Sequence, residues 1–305
     1  MAHTSSEKLI SEIVQIMQHK ACEAYGHSHI KRSAHAASLA TLKGTLTIEE
    51  NLPQTVRVGL FEKAHTYPVW IRVSNSNPKV KNDAQRDVRG FAIQLQAQDQ
   101  LQDFILASTP YMPLKDLQAF HAILSLSSGR QPIRSLLTLI SHTHIPSIFK
   151  LLGTLKHESS PLDRSYYSIT PYCCGNQVVK YSLIPTSSYK SKRPKRLTPT
   201  YLRDNMKRHL SSHQATFDLM IQLKKKGMSV ENASDVWDEK VSPVIKVGKI
   251  TIPPQLFDTP QRKLFGERLT FSPGHSLKEH RPVGTLNRAR SVIYNEMQKF
   301  RKQDY

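Results

Sequence analysis

Glycine and cysteine are both scarce in this sequence, and each scarcity excludes a class of site. The 12 glycines form neither a GxGxxG motif nor a P-loop, so a phosphate-cradling turn for nucleotides has no support. The three cysteines, Cys22 and the adjacent Cys173 and Cys174, are too few and too awkwardly placed for a disulfide framework or a zinc site. The HExxH and GxSxG motifs are missing too, which leaves zincin and serine hydrolase chemistry unsupported.

Long apolar runs are also missing. No stretch approaches the roughly 18 uncharged apolar residues that a membrane span requires, and the N-terminus lacks the apolar run and cleavage site of a secretory signal. The hydrophobic share of 38% and the charged share of 22% are ordinary for a globular protein. We therefore expect a cytoplasmic protein with no transmembrane segment.

Acidic residues are outnumbered by basic ones, 24 against 43, which gives a net charge of +19. Such an excess attracts any anion, whether nucleic acid, acidic lipid or a carboxylated cofactor, and charge alone does not choose among them. The densest basic cluster, KSKRPKR at 190–196, has no interleaved aromatic residues on which bases would stack. We interpret it as a solvated loop and expect no specific nucleic-acid partner, although binding through this cluster remains an alternative.

The order of local patterns predicts the architecture. Apolar spacing predicts an opening helix of about 18 residues, followed by an irregular arm. A helical stretch from about Asp116 to Leu155, broken near Pro132 and Pro146, separates two groups of strands, and a proline-marked stretch, 257–282, leads into a final helix. The strands are predicted at 41–48, 67–74, 88–97, 103–107, 178–185, 215–223 and 243–253. We predict one α+β domain over 1–305 with an antiparallel β-barrel core and surrounding helices: helix and arm in 1–30, barrel and last helix in 31–303.

The final helix carries a pattern that points to chemistry. In the run NRARSVIYNEMQKFRK, Arg290, Tyr294, Met297 and Arg301 recur at steps of four, three and four residues and so share one helix face. A tyrosine between guanidinium groups can bind iron as an anion, because a nearby cation favours the phenolate, and tyrosine is one proximal ligand of haem iron. The alternative is an ordinary amphipathic helix with solvated arginines, and the spacing alone does not decide between them.

A series of short motifs runs through the whole chain in a recognisable order. It comprises RSAHA at 32–36, RVSNS at 72–76, RDVRGFAIQL at 86–95, DFILASTP at 103–110, SYYSITPY at 165–172 and EHRPVGTLNRARSVIY at 279–294. In order and approximate separation, the series resembles the haem catalase superfamily. More closely, it is similar to the short catalase-related proteins, which keep the barrel core but lack the additional C-terminal regions of the larger enzymes. The resemblance spans about residues 32–301.

The resemblance implies a haem cofactor, expected to be haem b, and a role for the residues on each side of it. Tyr294 matches the proximal iron ligand, and Arg290 matches the arginine that hydrogen-bonds its phenolate. His35 matches the distal histidine, and Ser74 matches the hydroxyl that holds one ring nitrogen of that histidine. Phe120 matches the aromatic residue that packs over the distal face of the porphyrin.

Three arginines match those that bind the haem propionates in the family, namely Arg32, Arg72 and Arg301. Their placement makes independent physical sense. Arg72 and Ser74 are two residues apart in a predicted strand and so point to one side, while Arg301 shares the helix face of Tyr294. A guanidinium pairs well with a carboxylate.

The sequence departs from the family pattern on the distal side. In typical catalases an asparagine that orients hydrogen peroxide precedes the x-T-P element, but here the position is Ala107, which cannot donate that hydrogen bond. The two phenylalanines expected just after this element are also replaced, giving Tyr111-Met112-Pro113, and Ala34 is smaller than the usual valine. These departures favour peroxidase activity over fast dismutation of hydrogen peroxide.

The implied function is that of a haem-dependent oxidoreductase, a peroxidase or weak catalase, which acts on hydrogen peroxide or organic hydroperoxides with an organic electron donor as a further partner. Two other readings stay open: a fatty-acid hydroperoxide isomerase or dehydratase of the allene oxide synthase type, and a non-catalytic haem-binding protein. A homo-oligomer is also left open.

Overall fold

The computed structural model describes residues 5–26 and 30–302, and the strands in them form one antiparallel sheet that closes on itself. The order of the strands in the sheet is β5-β4-β3-β2-β1-β9-β8-β7-β6, and β5 also pairs with β7. Eight strands therefore form a closed barrel, and β6 extends from β7. The strands are β1 Ser38–Ile48, β2 Thr66–Asn75, β3 Arg89–Ala97, β4 Gln100–Ala107, β5 Tyr166–Tyr167, β6 Tyr172–Cys174, β7 Gln177–Pro185, β8 Ala215–Leu223 and β9 Val244–Ile252.

The helices of the described residues lie outside this barrel sheet. They are α1 Ser5–Tyr25, α2 Leu117–Ser127, α3 Pro132–His142, α4 Ile145–Thr154, α5 Tyr201–Leu210, α6 Pro260–Arg268 and α7 Thr285–Lys302. Helices α1, α2 and α7 contact one another, while α5 and α6 contact β1. Among these helices, none combines the length and the apolar character needed to cross a bilayer.

Two hydrophobic clusters hold the elements together. The larger cluster fills the barrel with inward-facing side chains, among them Leu42, Ile71, Phe91 and Phe217, each fully buried. Alternate residues of a strand face opposite sides of a sheet, so a closed barrel collects one half of each strand into a single interior. The second cluster lies where α1, α2 and α7 meet, around residues such as Ile13.

The predicted α+β fold with an antiparallel barrel core is confirmed, and so are the seven predicted strands to within three residues at each end. The breaks near Pro132 and Pro146 are confirmed as well, since each proline lies in the first turn of a helix, where its missing N–H costs no hydrogen bond. The proline-marked stretch, 257–282, contains α6, which the sequence did not predict because PQRKLFGER has no apolar stripe. The single domain stays a prediction, and residues 1–4 and 27–29 of its N-terminal part lie outside the described residues.

A buried histidine outside the barrel strands ties two loops to the core. The Nε2 atom of His280 accepts the backbone N–H of Leu60 at 2.9 Å, and its Nδ1 atom lies 3.3 Å from the hydroxyl of Tyr181. Burial lowers the pKa of His280 to about 4. The ring is therefore neutral in the folded protein at pH 7, with both nitrogens engaged.

This neutral state predicts a pH-dependent difference in stability. In the unfolded chain, His280 binds a proton below the ordinary histidine pKa of 6.5. In the folded chain, it stays neutral until the pH falls to about 4. The wild type should therefore lose stability relative to a His280→Gln variant as the pH falls, by up to about 1.4 kcal/mol per pH unit. Urea unfolding of both proteins at about pH 7 and about pH 5 measures this. A pH-independent difference for His280→Gln would contradict the neutral state.

Candidate functional site

One cavity gathers most of the residues that the sequence singled out. Its cavity volume is about 130 Å³. Its wall is formed by the arm before β1, by β2, β3 and β4, and by α1 and α7. The predicted site residues in this wall are Arg32, His35, Arg72, Ser74, Tyr294 and Arg301.

His35 is held in the arm by contacts on three sides. Its backbone N–H donates to the carbonyl of Ser76 at 3.1 Å, its carbonyl accepts from Nη2 of Arg72 at 2.9 Å, and its Nδ1 atom lies 3.1 Å from Oγ of Ser74. The residue has a φ of 57°, in the left-handed region that side chains other than glycine rarely adopt. Such a conformation persists only where the surroundings determine it, and it clusters at functional sites.

The electrostatics keep the His35 ring neutral. Burial lowers the pKa of His35 to about 4, and repulsion from Arg72 acts in the same direction, with Asp87 opposing it. At pH 7 the imidazole is therefore a free base. With Nδ1 directed at Ser74, the other ring nitrogen is available to accept a proton.

Gly90 of β3 provides the space that this ring occupies. A Cβ atom at position 90 would lie 2.6 Å from Cε1 and Nδ1 of His35 and 2.9 Å from Oγ of Ser74. The imidazole thus packs directly on the strand backbone. Sequence reasoning missed this role, although a glycine inside a strand pattern often marks a close approach of another group.

Tyr294 reaches the cavity from α7, with Arg290 one turn before it. The guanidinium carbon of Arg290 lies 5.8 Å from the centre of the Tyr294 ring, and its Nη1 donates to Thr170 at 2.7 Å and to Asn287 at 3.2 Å. Burial alone would lower the pKa of Arg290, but attraction to the Tyr294 and Tyr172 side chains outweighs it, so the net shift is upward. A firmly charged guanidinium therefore lies beside the tyrosine. Thr170 and Asn287 lie within the quoted motifs, but sequence reasoning assigned neither of them a role.

Arg32 brings a positive charge to the cavity. Its Nη1 donates to Oε2 of Glu267 at 2.8 Å, and its Nη2 donates to the carbonyls of Gly266 at 3.0 Å and Leu269 at 2.7 Å. Burial lowers the pKa of Arg32 to about 9, and repulsion from Arg72 and Arg301 adds to the shift. The sequence did not predict the part that α6 plays through Glu267.

Arg72 supplies a further cation to the cavity. Burial lowers its pKa to about 10; Glu267 opposes this shift, and Arg301 adds to it. Its Nε atom is buried and has no hydrogen-bond partner among the residues that the structure describes. An unmatched buried donor is costly, so the pattern indicates a place for an anionic group.

The rest of the wall is apolar, with Phe91, Ile105, Phe271, Ile293 and Met297 among its members. The cavity thus combines a broad apolar surface with buried cations. These residues fit a largely apolar group that carries carboxylates, as a haem with its propionates does.

Two predicted residues lie outside the cavity wall. The guanidinium of Arg290 lies over the ring of Tyr294. Phe120 lies on α2 and packs against the second hydrophobic cluster, next to which Met17 and Met297 also pack. Met17 and Met297 line the cavity, whereas Phe120 does not, and its role over the cofactor stays a prediction. Ala107 pairs with Gly90 in the sheet, and Ala34 lines the cavity.

Comparisons with known proteins found similarity to catalases. The catalase family model matches residues 7–142, which include the arm and β1 to β4. The structure of a fungal catalase has a TM-score of 0.69 and 19% sequence identity, covering 89% of this chain and 59% of that one. A bacterial catalase has a TM-score of 0.68 and 17% identity, covering 89% of this chain and 57% of that one. None of the curated proteins matches the sequence.

The family match and the shared fold confirm the predicted resemblance to the catalase superfamily. The chain spans less than two thirds of the length of either catalase, and the matched segment, 7–142, ends before α7. The roles assigned to three residues therefore depend on their position in the fold and on the contacts given above. These residues are Tyr294, Arg290 and Arg301.

Proposed function

We propose that the chain binds haem b in this cavity and acts as a haem-dependent oxidoreductase that reduces peroxides, with peroxidase activity greater than catalase activity. One observation carries the proposal: residues far apart in sequence meet in one cavity, with an acid–base pair, a tyrosine and buried cations. They are His35 with Ser74, Tyr294, and Arg32, Arg72 and Arg301.

Different residues of the cavity would bind different parts of the cofactor. Tyr294 would hold the iron through its phenolate oxygen, and the charge of Arg290 stabilises that anion. Arg32, Arg72 and Arg301 would pair with the propionates, which would offset the buried positive charge. Haem supplies the redox chemistry when bound, and the protein supplies binding, orientation and electrostatics.

His35 provides the acid–base chemistry. The neutral imidazole accepts a proton from one oxygen of the peroxide and delivers it to the other, which prepares the O–O bond for cleavage. Ser74 holds Nδ1, so that the ring keeps one orientation during the transfer. A positioned acid–base residue of this kind contributes about 10²- to 10⁴-fold to the rate.

Two features favour peroxidase activity over dismutation. Ala107 supplies no side-chain donor where typical catalases have an asparagine, so one peroxide-positioning contact is lost. Ala34 lines the cavity with only a methyl group, which leaves room for a bulkier peroxide or donor.

The test begins with the visible spectrum of protein expressed with an adequate supply of haem. A Soret band with high-spin ferric features would support the cofactor assignment and justify three assays. Oxygen release would indicate catalase activity, donor oxidation would indicate peroxidase activity, and consumption of a fatty-acid hydroperoxide without a donor would indicate an isomerase or dehydratase. Haem uptake without any turnover would indicate a haem-binding protein. A colourless protein that shifts DNA on a gel would refute all the haem proposals.

The contact between Gly90 and His35 makes a separate prediction. A Gly90→Ala substitution places a methyl group 2.6 Å from the His35 imidazole and should displace that ring. Peroxide turnover should therefore fall by about 100-fold. Haem uptake should persist, because Tyr294 and the arginines are unchanged. Gly153→Ala is the matched control, since a Cβ atom there meets no atom within 4 Å. Equal turnover in both variants would contradict the role of Gly90.

A further inference from the structure

Helix α3 directs its apolar side away from the protein. Ile133, Leu136, Leu137 and Ile140 are between 52% and 76% exposed, whereas Ser135 is 5% exposed. The four apolar residues follow the spacing of one helix face, which in a surface helix of a globular protein normally faces the core. The orientation of α3 is therefore the reverse of the usual one.

Helix α4 repeats the reversal. Ile145, Phe149 and Leu152, spaced by four and three residues, are between 58% and 69% exposed, while Ser147 is 2% exposed. We define the α3–α4 apolar face as the exposed apolar residues of both helices: Ile133, Leu136, Leu137, Ile140, Ile145, Phe149 and Leu152. Large exposed apolar patches on soluble proteins mark interaction sites.

A groove joins the two helices into one surface. It runs between α2, α3 and α4, and apolar side chains such as Ile123, Leu139, Ile140 and Ile145 line it. Thr143 is the one polar residue among the described residues of its lining. The apolar surface is thus continuous across the turn from α3 to α4.

The charged residues within the segment that carries this surface have a single sign. From 117 to 157 the sequence contains no Asp or Glu, and its Lys and Arg residues are Arg130, Arg134, Lys150 and Lys156. All four are exposed. Two copies of the chain joined through this face would bring like charges together, whereas an anionic surface would neutralise them. Apolar helix faces flanked by lysine and arginine are typical of helices that lie in a membrane interface.

We propose that the α3–α4 apolar face docks on the surface of an anionic lipid bilayer. The leucine, isoleucine and phenylalanine side chains enter the boundary between headgroups and acyl chains, and the flanking basic residues pair with lipid phosphates. The proposal does not depend on haem or on peroxide turnover, because none of the residues in the face lines the cavity.

Co-sedimentation of the full chain with vesicles tests the proposal. We expect binding to vesicles of phosphatidylglycerol and phosphatidylcholine in a ratio of about 3 to 7, and much weaker binding to phosphatidylcholine alone. A Leu136→Gln/Phe149→Gln variant should lose binding to background. Leu256→Gln, changed at a 73% exposed position outside the face, should bind like the wild type. Because all three positions are exposed, the variants should fold normally, as circular dichroism would verify.

Two double variants test how much the basic residues contribute to vesicle binding. Arg134→Gln/Lys150→Gln should weaken vesicle binding by about 30-fold, since each basic residue near an anionic surface contributes appreciably. Lys225→Gln/Lys226→Gln removes the same charge from another exposed basic cluster and should have little effect. The proposal would be overturned if the wild type did not bind anionic vesicles. It would also be overturned if the two double variants, Arg134→Gln/Lys150→Gln and Lys225→Gln/Lys226→Gln, bound them equally well. It would also fail if sedimentation velocity showed that Leu136→Gln/Phe149→Gln dissociates an oligomer of this chain, since the face would then be a subunit interface.

Discussion

Tyr294→Phe is expected to abolish the iron–phenolate character of the visible spectrum and to lower haem affinity by at least about 100-fold. Losing even an outer-shell partner of a metal ligand costs about 10- to 100-fold, so losing the ligand itself should cost more. The substitution removes one oxygen and keeps the ring, which preserves the packing of α7 beside Arg290. The arginines that would hold the propionates remain, so some haem is expected to bind in an altered state.

The measurement is the visible spectrum of both proteins after identical haem loading, with the haem content determined separately. Tyr189→Phe is the control, because that ring packs on His209 and His213, away from the cavity. If Tyr294→Phe kept the wild-type spectrum and haem content, another residue would hold the iron, and the proximal assignment would fail.

His35→Gln is expected to reduce peroxide turnover by about 10³-fold, near the middle of the range for a positioned acid–base residue, while haem binding persists. Glutamine is polar and of similar size, so the contact with Ser74 can be kept while the proton-accepting ring is lost. His213→Gln, changed at an exposed position, is the control. Turnover that survived His35→Gln would remove the histidine from the chemistry.

The pH profile distinguishes this role from a merely structural one. Because burial lowers the pKa of His35 to about 4, the ring is a free base throughout the neutral range, and it protonates only as the pH falls towards that value. Wild-type turnover should therefore be flat from about pH 8 to pH 5 and should decline below that, whereas the residual turnover of His35→Gln should lack this acid limb. A wild-type profile with its midpoint at the ordinary histidine pKa of 6.5 would contradict the buried, neutral state.

Much of this architecture was predictable because its signals are local. The alternation of side chains defined the long barrel strands, and Pro132 and Pro146 marked the starts of α3 and α4. The spacing of Arg290 and Tyr294 followed from the helix period, and the structure places their side chains together. The motif series, through its resemblance to catalases, indicated which distant segments would share a site.

Other features could not be read from local patterns. The short β5 and β6 have too few residues to show a period, and α6 has no apolar stripe. Glu267 entered the site only because α6 packs beside the arm that carries Arg32. The sequence showed Gly90 only as a glycine within a strand, and the contact with His35 became visible only in the tertiary structure.

The sequence by itself determined the order of the seven long strands, the opening and final helices and the helical stretch between the two groups of strands, the apolar spacing within α3 and α4, and the residue types available for a haem site. Only the tertiary structure decided that the apolar residues of α3 and α4 face solvent, that the buried Nε atom of Arg72 has no hydrogen-bond partner among the described residues, and that His35 is neutral. The physical reason is that burial and charge interactions depend on groups far apart in the chain, whereas periodicity and turn chemistry depend on neighbours.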